Sequence, residues 1–143
     1  MIDNRTAPYA ALVLRVSLGV MFIAHSLVLK YFVFGLAGTA QFFESLGLPA
    51  GLAYLTFWAE LLGGLALVAG FATRWVVLAL IPVLIGATWV HAGNGWVFSA
   101  ANGGWEYPAF LIAASLVLAL LGDGPYALGN RISALKLRLT TQS

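Results

Sequence analysis

The stretch AYLTFWAELLGGLALVA, residues 53–69, decides the fold, because it is almost entirely apolar and yet carries one charge, Glu60, near its middle. A second stretch, YAALVLRVSLGVMFIA at residues 9–24, holds Arg15 in the same way. A lone charge in hydrocarbon costs about 2.5–3.5 kcal/mol on insertion scales. We therefore expect Arg15 and Glu60 to be buried and to form an ion pair with each other.

The composition is that of a chain whose solvent is largely lipid. Of its 143 residues, 62% are hydrophobic and 8% are charged, whereas a soluble domain carries about 25% charged residues. The mean hydropathy is +0.95. The net charge is only +2 and forms no basic patch, so we expect a lipid bilayer and no nucleic acid as partner. The chain has no cysteine, which excludes thiol nucleophiles, disulfides and thiolate metal ligands.

Four segments have the length and apolarity to cross a bilayer, since a helix needs about 20 residues to span about 30 Å. The predicted segments are about 8–29, 51–71, 75–91 and 107–121. Pro8 suits a helix start, residues 122–125 form a stop signal, and Pro82 is expected to kink the third segment. The chain is thus predicted to be an all-α membrane protein, with residues 1–143 forming a single four-transmembrane-helix antiparallel bundle.

Lysine and arginine in the connections predict the orientation of the bundle. With the N-terminus inside, the outer side holds only Lys30. The inner side then holds Arg5, Arg74, Arg131, Lys136 and Arg138. We therefore expect both termini to be cytoplasmic, with a basic tail at about 126–143 on the inner surface.

Both outer connections are expected to carry structure of their own. Phe42, Phe43 and Leu46 share one face at helical spacing, which predicts a short interfacial helix in the first outer connection. The second connection, residues 92–106, holds two Asn-Gly pairs, which favour tight turns. A small hairpin or a re-entrant lid is expected there.

The Arg15 and Glu60 faces are predicted to meet in one helix interface. At 1.5 Å per residue, Arg15 lies about 10 Å from one end of its segment and Glu60 about 13 Å from the opposite end of its own. Gly19 and Gly64 share these faces, and small residues let helix backbones approach closely. The pair could serve only to fix helix register, or Glu60 could face a ligand or exchange protons.

The remaining polar side chains gather toward the outer end of the predicted bundle. His25 lies about one turn below the outer end of the first segment, Lys30 caps that end and His91 ends the third segment, while Glu44 and Glu106 lie in or beside the connections. Trp58 and Trp89 could form aromatic walls, although packing alone also explains them. The candidate ligand-binding residues are therefore His25, Lys30, Glu44, Trp58, Glu60, Trp89, His91 and Glu106.

Three interpretations of the two histidines are open. As axial ligands, His25 and His91 could hold a haem. Beside an acid, they could supply protons to a bound quinone, whose carbonyls accept hydrogen bonds. They could also be ordinary interfacial histidines that bond to carbonyls or water.

The chain resembles the DoxX family of small four-helix membrane proteins. The matching stretches are Arg15–Gly19 followed by Phe22, His25 and Lys30, then Phe43–Pro49, Ala59–Gly64, Gly70–Arg74, His91 and Gly103–Tyr107. The resemblance implies a bundle in the bacterial plasma (inner) membrane. Named members are linked to quinone-dependent sulfur oxidation, oxidative-stress complexes or quinone resistance. Without assigning roles, it also implies importance for Arg15, His25, Lys30, Glu44, Glu60, His91 and Glu106.

Two classes of function follow. The first is a redox-linked membrane subunit, an oxidoreductase component that binds a quinone or a similar lipid-soluble aromatic near the outer face and works with a partner redox protein. The alternative is a non-enzymatic membrane scaffold or small-molecule carrier. A carrier requires a continuous polar path, whereas a scaffold requires no pocket and satisfied buried polar groups.

Overall fold

Over residues 3–130 and 132, the part of the chain that the computed structural model describes, the fold is helical and contains no strand. Helix α1, Ala7–Ile23, continues directly as a π-helix over Ala24–Val33. The other helices are α2 at Leu36–Ser45, α3 at Gly51–Ala69, α4 at Thr73–His91 and α5 at Glu106–Leu121. Most of the predicted basic tail, residue 131 and residues 133–143, lies outside the described residues.

Three helical segments are long and apolar enough to cross a membrane, namely Ala7–Val33, Gly51–Ala69 and Thr73–Asn94. Helix α5 is equally apolar but shorter, at 16 residues. The chain is therefore a membrane protein. The first predicted segment ended too early, because the helix does not stop at Leu29 but continues as the π-helix and includes Lys30. Helix α4 runs through Pro82 without ending.

The long helices form two closely packed pairs, α1 with α3 and α4 with α5. Helices α3 and α4 also touch, as do α1 and α5, and α2 lies against α3 and the π-helix. Apolar side chains from all four long helices meet at the centre, among them Phe22, Leu67, Val77 and Leu118. The contact between α3 and α4 is less extensive than the contact within either pair, which leaves room between the pairs.

Helices α1 and α3 cross at two glycines. A Cβ atom added to Gly19 would lie 2.8 Å from the carbonyl oxygen of Gly64, and one added to Gly64 would lie 2.8 Å from that of Gly19. Real Cβ atoms do not approach so closely, so both positions require glycine. The predicted small-residue interface between these helices is confirmed.

The second connection is a loop closed by its own backbone. The amides of Trp105 and Glu106 donate to the carbonyls of Gly95 and Trp96, at 3.2 and 3.0 Å. The Trp96 and Trp105 rings meet edge to face with centroids 4.5 Å apart. These contacts pair the two ends of the loop as in a hairpin, but without forming strands.

The glycine crossing can be tested by comparing two glycine-to-alanine variants. Gly64→Ala should lower the free energy of unfolding by about 1–3 kcal/mol, because α1 must move away from α3. Gly86→Ala is the matched control within α4, since a Cβ there meets nothing within 4 Å. It should leave stability unchanged or raise it by about 0.5–1 kcal/mol through helix propensity. Unfolding in mixed detergent micelles measures both; equal stabilities would contradict the close crossing.

Candidate functional site

Arg15 is buried, at 1% exposure, but it does not pair with Glu60. Its Nη1 donates to the carbonyl oxygens of Leu67 and Val68 at 2.9 and 3.0 Å, and its Nη2 to that of Pro125 at 3.4 Å. Leu67 and Val68 belong to the last turn of α3, where carbonyls lack the i+4 amide of a helix interior and the helix dipole is negative. The predicted Arg15–Glu60 ion pair is therefore wrong. Glu60 lies about 10 Å from Leu67 along α3, and the helix end offers Arg15 nearer acceptors.

Two other charged side chains near Arg15, those of Arg74 and Asp123, also bind at helix ends. The Nε of Arg74 donates to the carbonyl oxygen of Ala119, near the C-terminus of α5, at 2.8 Å. The carboxylate of Asp123 accepts the amide of Thr73, the first residue of α4, at 3.0 Å. Cations over helix C-termini and an anion at an N-terminus are the arrangement that helix dipoles favour. Arg15, Arg74 and Asp123 therefore have a structural explanation.

Glu60 forms an ion pair with Lys30, whose Nζ lies 2.6 Å from the Oε2 of Glu60. The Lys30 and Glu60 side chains are 16% and 7% exposed. Lys30 was expected to cap the outer end of the first segment, but the π-helix directs it toward α3 instead. π-Helical turns are rare and occur frequently at functional sites. Here the π-helix carries both Lys30 and His25.

A cavity of about 690 Å³ lies beside this ion pair, between the two helix pairs. All five helices contribute to its walls, and α3 and α4 contribute most. The polar residues that line it are His25, Lys30, Thr56, Glu60, His91 and Tyr107. The largest apolar side chains are Met21, Phe22, Phe42, Phe43, Leu55 and Trp89. The structure thus brings together five of the predicted residues, namely His25, Lys30, Glu60, Trp89 and His91.

The other three predicted residues, Glu44, Trp58 and Glu106, do not line this cavity. The Oε1 of Glu106 accepts the backbone amide of Phe98 at 2.9 Å, so its carboxylate holds the second connection. Trp58 is 52% exposed and packs edge to face on Phe57, while Glu44 is exposed on α2. Of the hairpin and the re-entrant lid expected for residues 92–106, the loop has the paired ends of a hairpin, and none of these residues lines the cavity. Phe42 and Phe43 of α2 line it in place of that loop.

Both histidines are held through the same ring nitrogen. The Nδ1 of His25 lies 3.0 Å from the carbonyl oxygen of Met21, and the Nδ1 of His91 lies 3.0 Å from that of Asn102. A carbonyl can only accept, so each Nδ1 carries a proton and donates it. In the neutral imidazole, Nε2 is then an acceptor. The cavity therefore has two imidazoles with Nε2 uncommitted among the described residues.

Tyr107 is a lining residue that sequence reasoning missed. Its ring stacks on that of His25, with centroids 6.1 Å apart and planes inclined by 21°. Its hydroxyl adds a group that can donate or accept beside the first histidine. An aromatic at the start of the fourth segment is typical of any membrane interface. The one signal in the sequence that could have indicated Tyr107 as a lining residue is that it lies at a depth similar to that of His25.

The acidic and histidine side chains of the described residues do not cluster. Among residues 3–130 and 132, no group of three or more histidine or acidic side chains is placed to hold a metal ion. Arg15 and Arg74 face helix carbonyls, and Lys30 neutralises Glu60. What remains for chemistry is a largely apolar cavity with two imidazoles, a phenol and a compensated ion pair.

Comparison with known proteins places the chain in a family. The family model described as DoxX matches residues 10–93. The chain belongs to the DoxX family. The matched part of this DoxX protein includes His25, Lys30, Glu60 and His91, while the α5 wall of the cavity follows it.

A curated relative supports the same assignment. The DoxX chain is 36% identical over 120 residues to a protein of Bacillus subtilis (strain 168) named "Putative oxidoreductase CatD", and the match covers 84% of each chain. No solved structure matches.

A double-mutant cycle tests the corrected pairing. Lys30→Met and Glu60→Gln should each cost about 3 kcal/mol of unfolding free energy, because each leaves a buried charge unpaired. The double variant should cost at least about 1 kcal/mol less than the sum of the two. Arg15→Met combined with Glu60→Gln is the control, and these effects should add within about 0.5 kcal/mol. Coupling of Glu60 to Arg15 but not to Lys30 would contradict the structure.

Proposed function

We propose that this DoxX protein binds a quinone or a similar lipid-soluble aromatic ring in the cavity and acts as a quinone-linked oxidoreductase subunit. The observation that carries the proposal is the apolar cavity lined by two imidazoles, those of His25 and His91, whose Nε2 atoms make no hydrogen bond within the described residues. In the proposed setting, the long helices form an antiparallel four-transmembrane-helix bundle in the bacterial plasma membrane. The cavity then lies toward the outer face, and both termini are cytoplasmic.

The walls of the cavity suit a neutral, flat ligand. Aromatic side chains from α1, α2 and α4 line it, and its volume of about 690 Å³ falls within the usual range for small-molecule sites, about 300–1,000 Å³. Lys30 and Glu60 neutralise each other at 2.6 Å, so neither leaves a net charge that would attract an ionic ligand. A neutral aromatic molecule dissolved in the bilayer satisfies both conditions.

The polar groups of the cavity suit proton transfer. When bound, a quinone supplies chemistry that couples two electrons to two protons. Imidazole is the usual protein group for moving protons near neutral pH, and His25 and His91 both line the cavity. Tyr107 orients the His25 ring by stacking on it. We assign electron transfer to a partner redox protein, in keeping with the oxidoreductase name of the relative.

The alternatives have less support. A scaffold needs no cavity, and three buried polar atoms, Arg15 Nε, Thr73 Oγ1 and Ser115 Oγ, have no hydrogen-bond partner within the described residues. A carrier needs polar groups along its whole length, yet Arg15, Arg74 and Asp123 are held against helix ends. A haem would use the same two histidines as ligands, and its absorption spectrum distinguishes it from a bound quinone.

Filling the cavity tests the ligand site. Gly86 lines the cavity, and an added Cβ there meets nothing within 4 Å. Gly86→Phe should therefore weaken binding of a short-chain alkyl benzoquinone by at least about tenfold, because the new ring occupies the cavity. Gly38→Phe is the matched control, since Gly38 also has open space but does not line the cavity. Calorimetry in detergent measures both.

The control variant Gly38→Phe should bind like the unmodified protein. Equal binding in both phenylalanine variants would place the ligand elsewhere.

The absorption spectrum of the purified protein should lack a Soret band. A Soret band that disappears in His25→Ala and His91→Ala would establish the haem alternative instead.

Single cysteines test the proposed orientation, on a background without cysteine. Ser99 and Asn4 are both exposed. In spheroplasts, a membrane-impermeant thiol reagent should label Ser99→Cys, because its connection faces outward. It should label Asn4→Cys only after permeabilisation. The reverse pattern would invert the topology that the positive charges predict.

A further inference from the structure

The hydrogen bonds of the two histidines decide what each can offer a ligand. In His91, the ring atoms Nδ1 and Cε1 would each lie 3.4 Å from a Cβ on Gly103, so that edge faces the second connection. The Nε2–Cδ2 edge is on the opposite side of the ring. In His25, Nδ1 is bonded one turn back along its own helix, to Met21. No hydrogen bond within the described residues uses either Nε2.

The tautomer of each histidine is fixed by a backbone carbonyl, which can accept a hydrogen bond but cannot donate one. The carbonyl of Asn102 takes the Nδ1 proton of His91, and the side-chain amide of Asn94 donates to that carbonyl and to that of Gly103, at 3.1 and 2.9 Å. The Nδ2 of Asn94 also lies 3.5 Å from the Nδ1 of His91, farther than the carbonyl oxygen of Asn102 at 3.0 Å. An amide nitrogen accepts no hydrogen bond, so Asn94 does not take the Nδ1 proton. Each neutral histidine therefore presents a lone pair, and no proton, at Nε2.

The other polar groups of the cavity do not discriminate between donors and acceptors on a ligand. The hydroxyls of Thr56 and Tyr107 can do either. The Lys30–Glu60 pair uses one hydrogen and one oxygen internally, and it retains both N–H donors and a carboxylate acceptor. Among the polar residues that line the cavity, with Lys30 and Glu60 taken together as one unit, His25 and His91 are the groups restricted to one role.

From this geometry, and resting on the proposed function, we infer that the cavity selects the dihydroxy form of its aromatic ligand over the dicarbonyl form. Two ring hydroxyls can donate to the two Nε2 atoms, whereas two ring carbonyls would face lone pairs. His25 and His91 are then the residues that determine specificity for the hydroquinone class of ligand.

Three ligands of one skeleton test the inference. They are a short-chain alkyl 1,4-hydroquinone kept reduced, the corresponding benzoquinone, and the 1,4-dimethoxy ether, which has the ring but no donor. At about pH 8, calorimetry in detergent should show the hydroquinone binding at least about tenfold more tightly than either other ligand. A quinone that binds equally or more tightly would overturn the inference while leaving the proposed site intact.

Variants assign the preference to the histidines. His25→Phe and His91→Phe each keep an aromatic ring and remove one acceptor, so each should reduce the preference about threefold to tenfold. Binding of the dimethoxy ether should change little in both variants, and this binding also shows that each variant is folded. If His91→Phe does not fold, His91→Ala replaces it. Trp58→Phe, off the cavity, is the control. An undiminished preference in the histidine variants would overturn the inference. Failure of all three ligands to bind the unmodified protein would overturn both proposals.

Discussion

The crossing of α1 and α3 at Gly19 and Gly64 is the constraint on which both ends of the molecule depend. Each backbone leaves no room for a Cβ on the other, so the two helices have a single register. On one side of the crossing, this register places the guanidinium of Arg15 on the final carbonyls of α3. On the other side, it places Lys30 beside Glu60. The capping interaction and the ion pair are consequences of one close backbone contact.

Much of the fold could be predicted from the sequence, because it follows from apolar length and from small residues on helix faces. The burial of Arg15 and Glu60 was also predictable, but their partners were not. Matching charges by depth leaves out the carbonyls of helix ends, which compete for an arginine as effectively as a carboxylate. It also assumes α-helical geometry, whereas Lys30 lies on a π-helix, in which side chains point in other directions than in an α-helix.

The candidate site could be predicted only in part, for a related reason. Residues near one end of a bundle are easy to collect from a sequence, but which of them face inward depends on how the pairs α1–α3 and α4–α5 separate. His25, Lys30, Glu60, Trp89 and His91 line the space between the pairs. Glu106 lies at a similar depth, yet the backbone of the loop engages its carboxylate. Position along a helix gives the depth of a residue, but whether its side chain lines a cavity also depends on the direction in which that side chain points.

The partners of Arg15 also bear on how the protein is made. Arg15 belongs to the first span, whereas two of its three carbonyl acceptors, on Leu67 and Val68, follow 52 and 53 residues later in the chain, and the third, on Pro125, follows 110 residues later. At about 5–20 residues per second, roughly 3–10 s of synthesis separate Arg15 from the first two. During that interval the emerging first helix carries an arginine without its native acceptors, at an insertion cost of about 2.5–3.5 kcal/mol. The hydrogen bonds that hold Arg15 therefore cannot form until α3 has been synthesised, so the first helix reaches its final packing only together with α3.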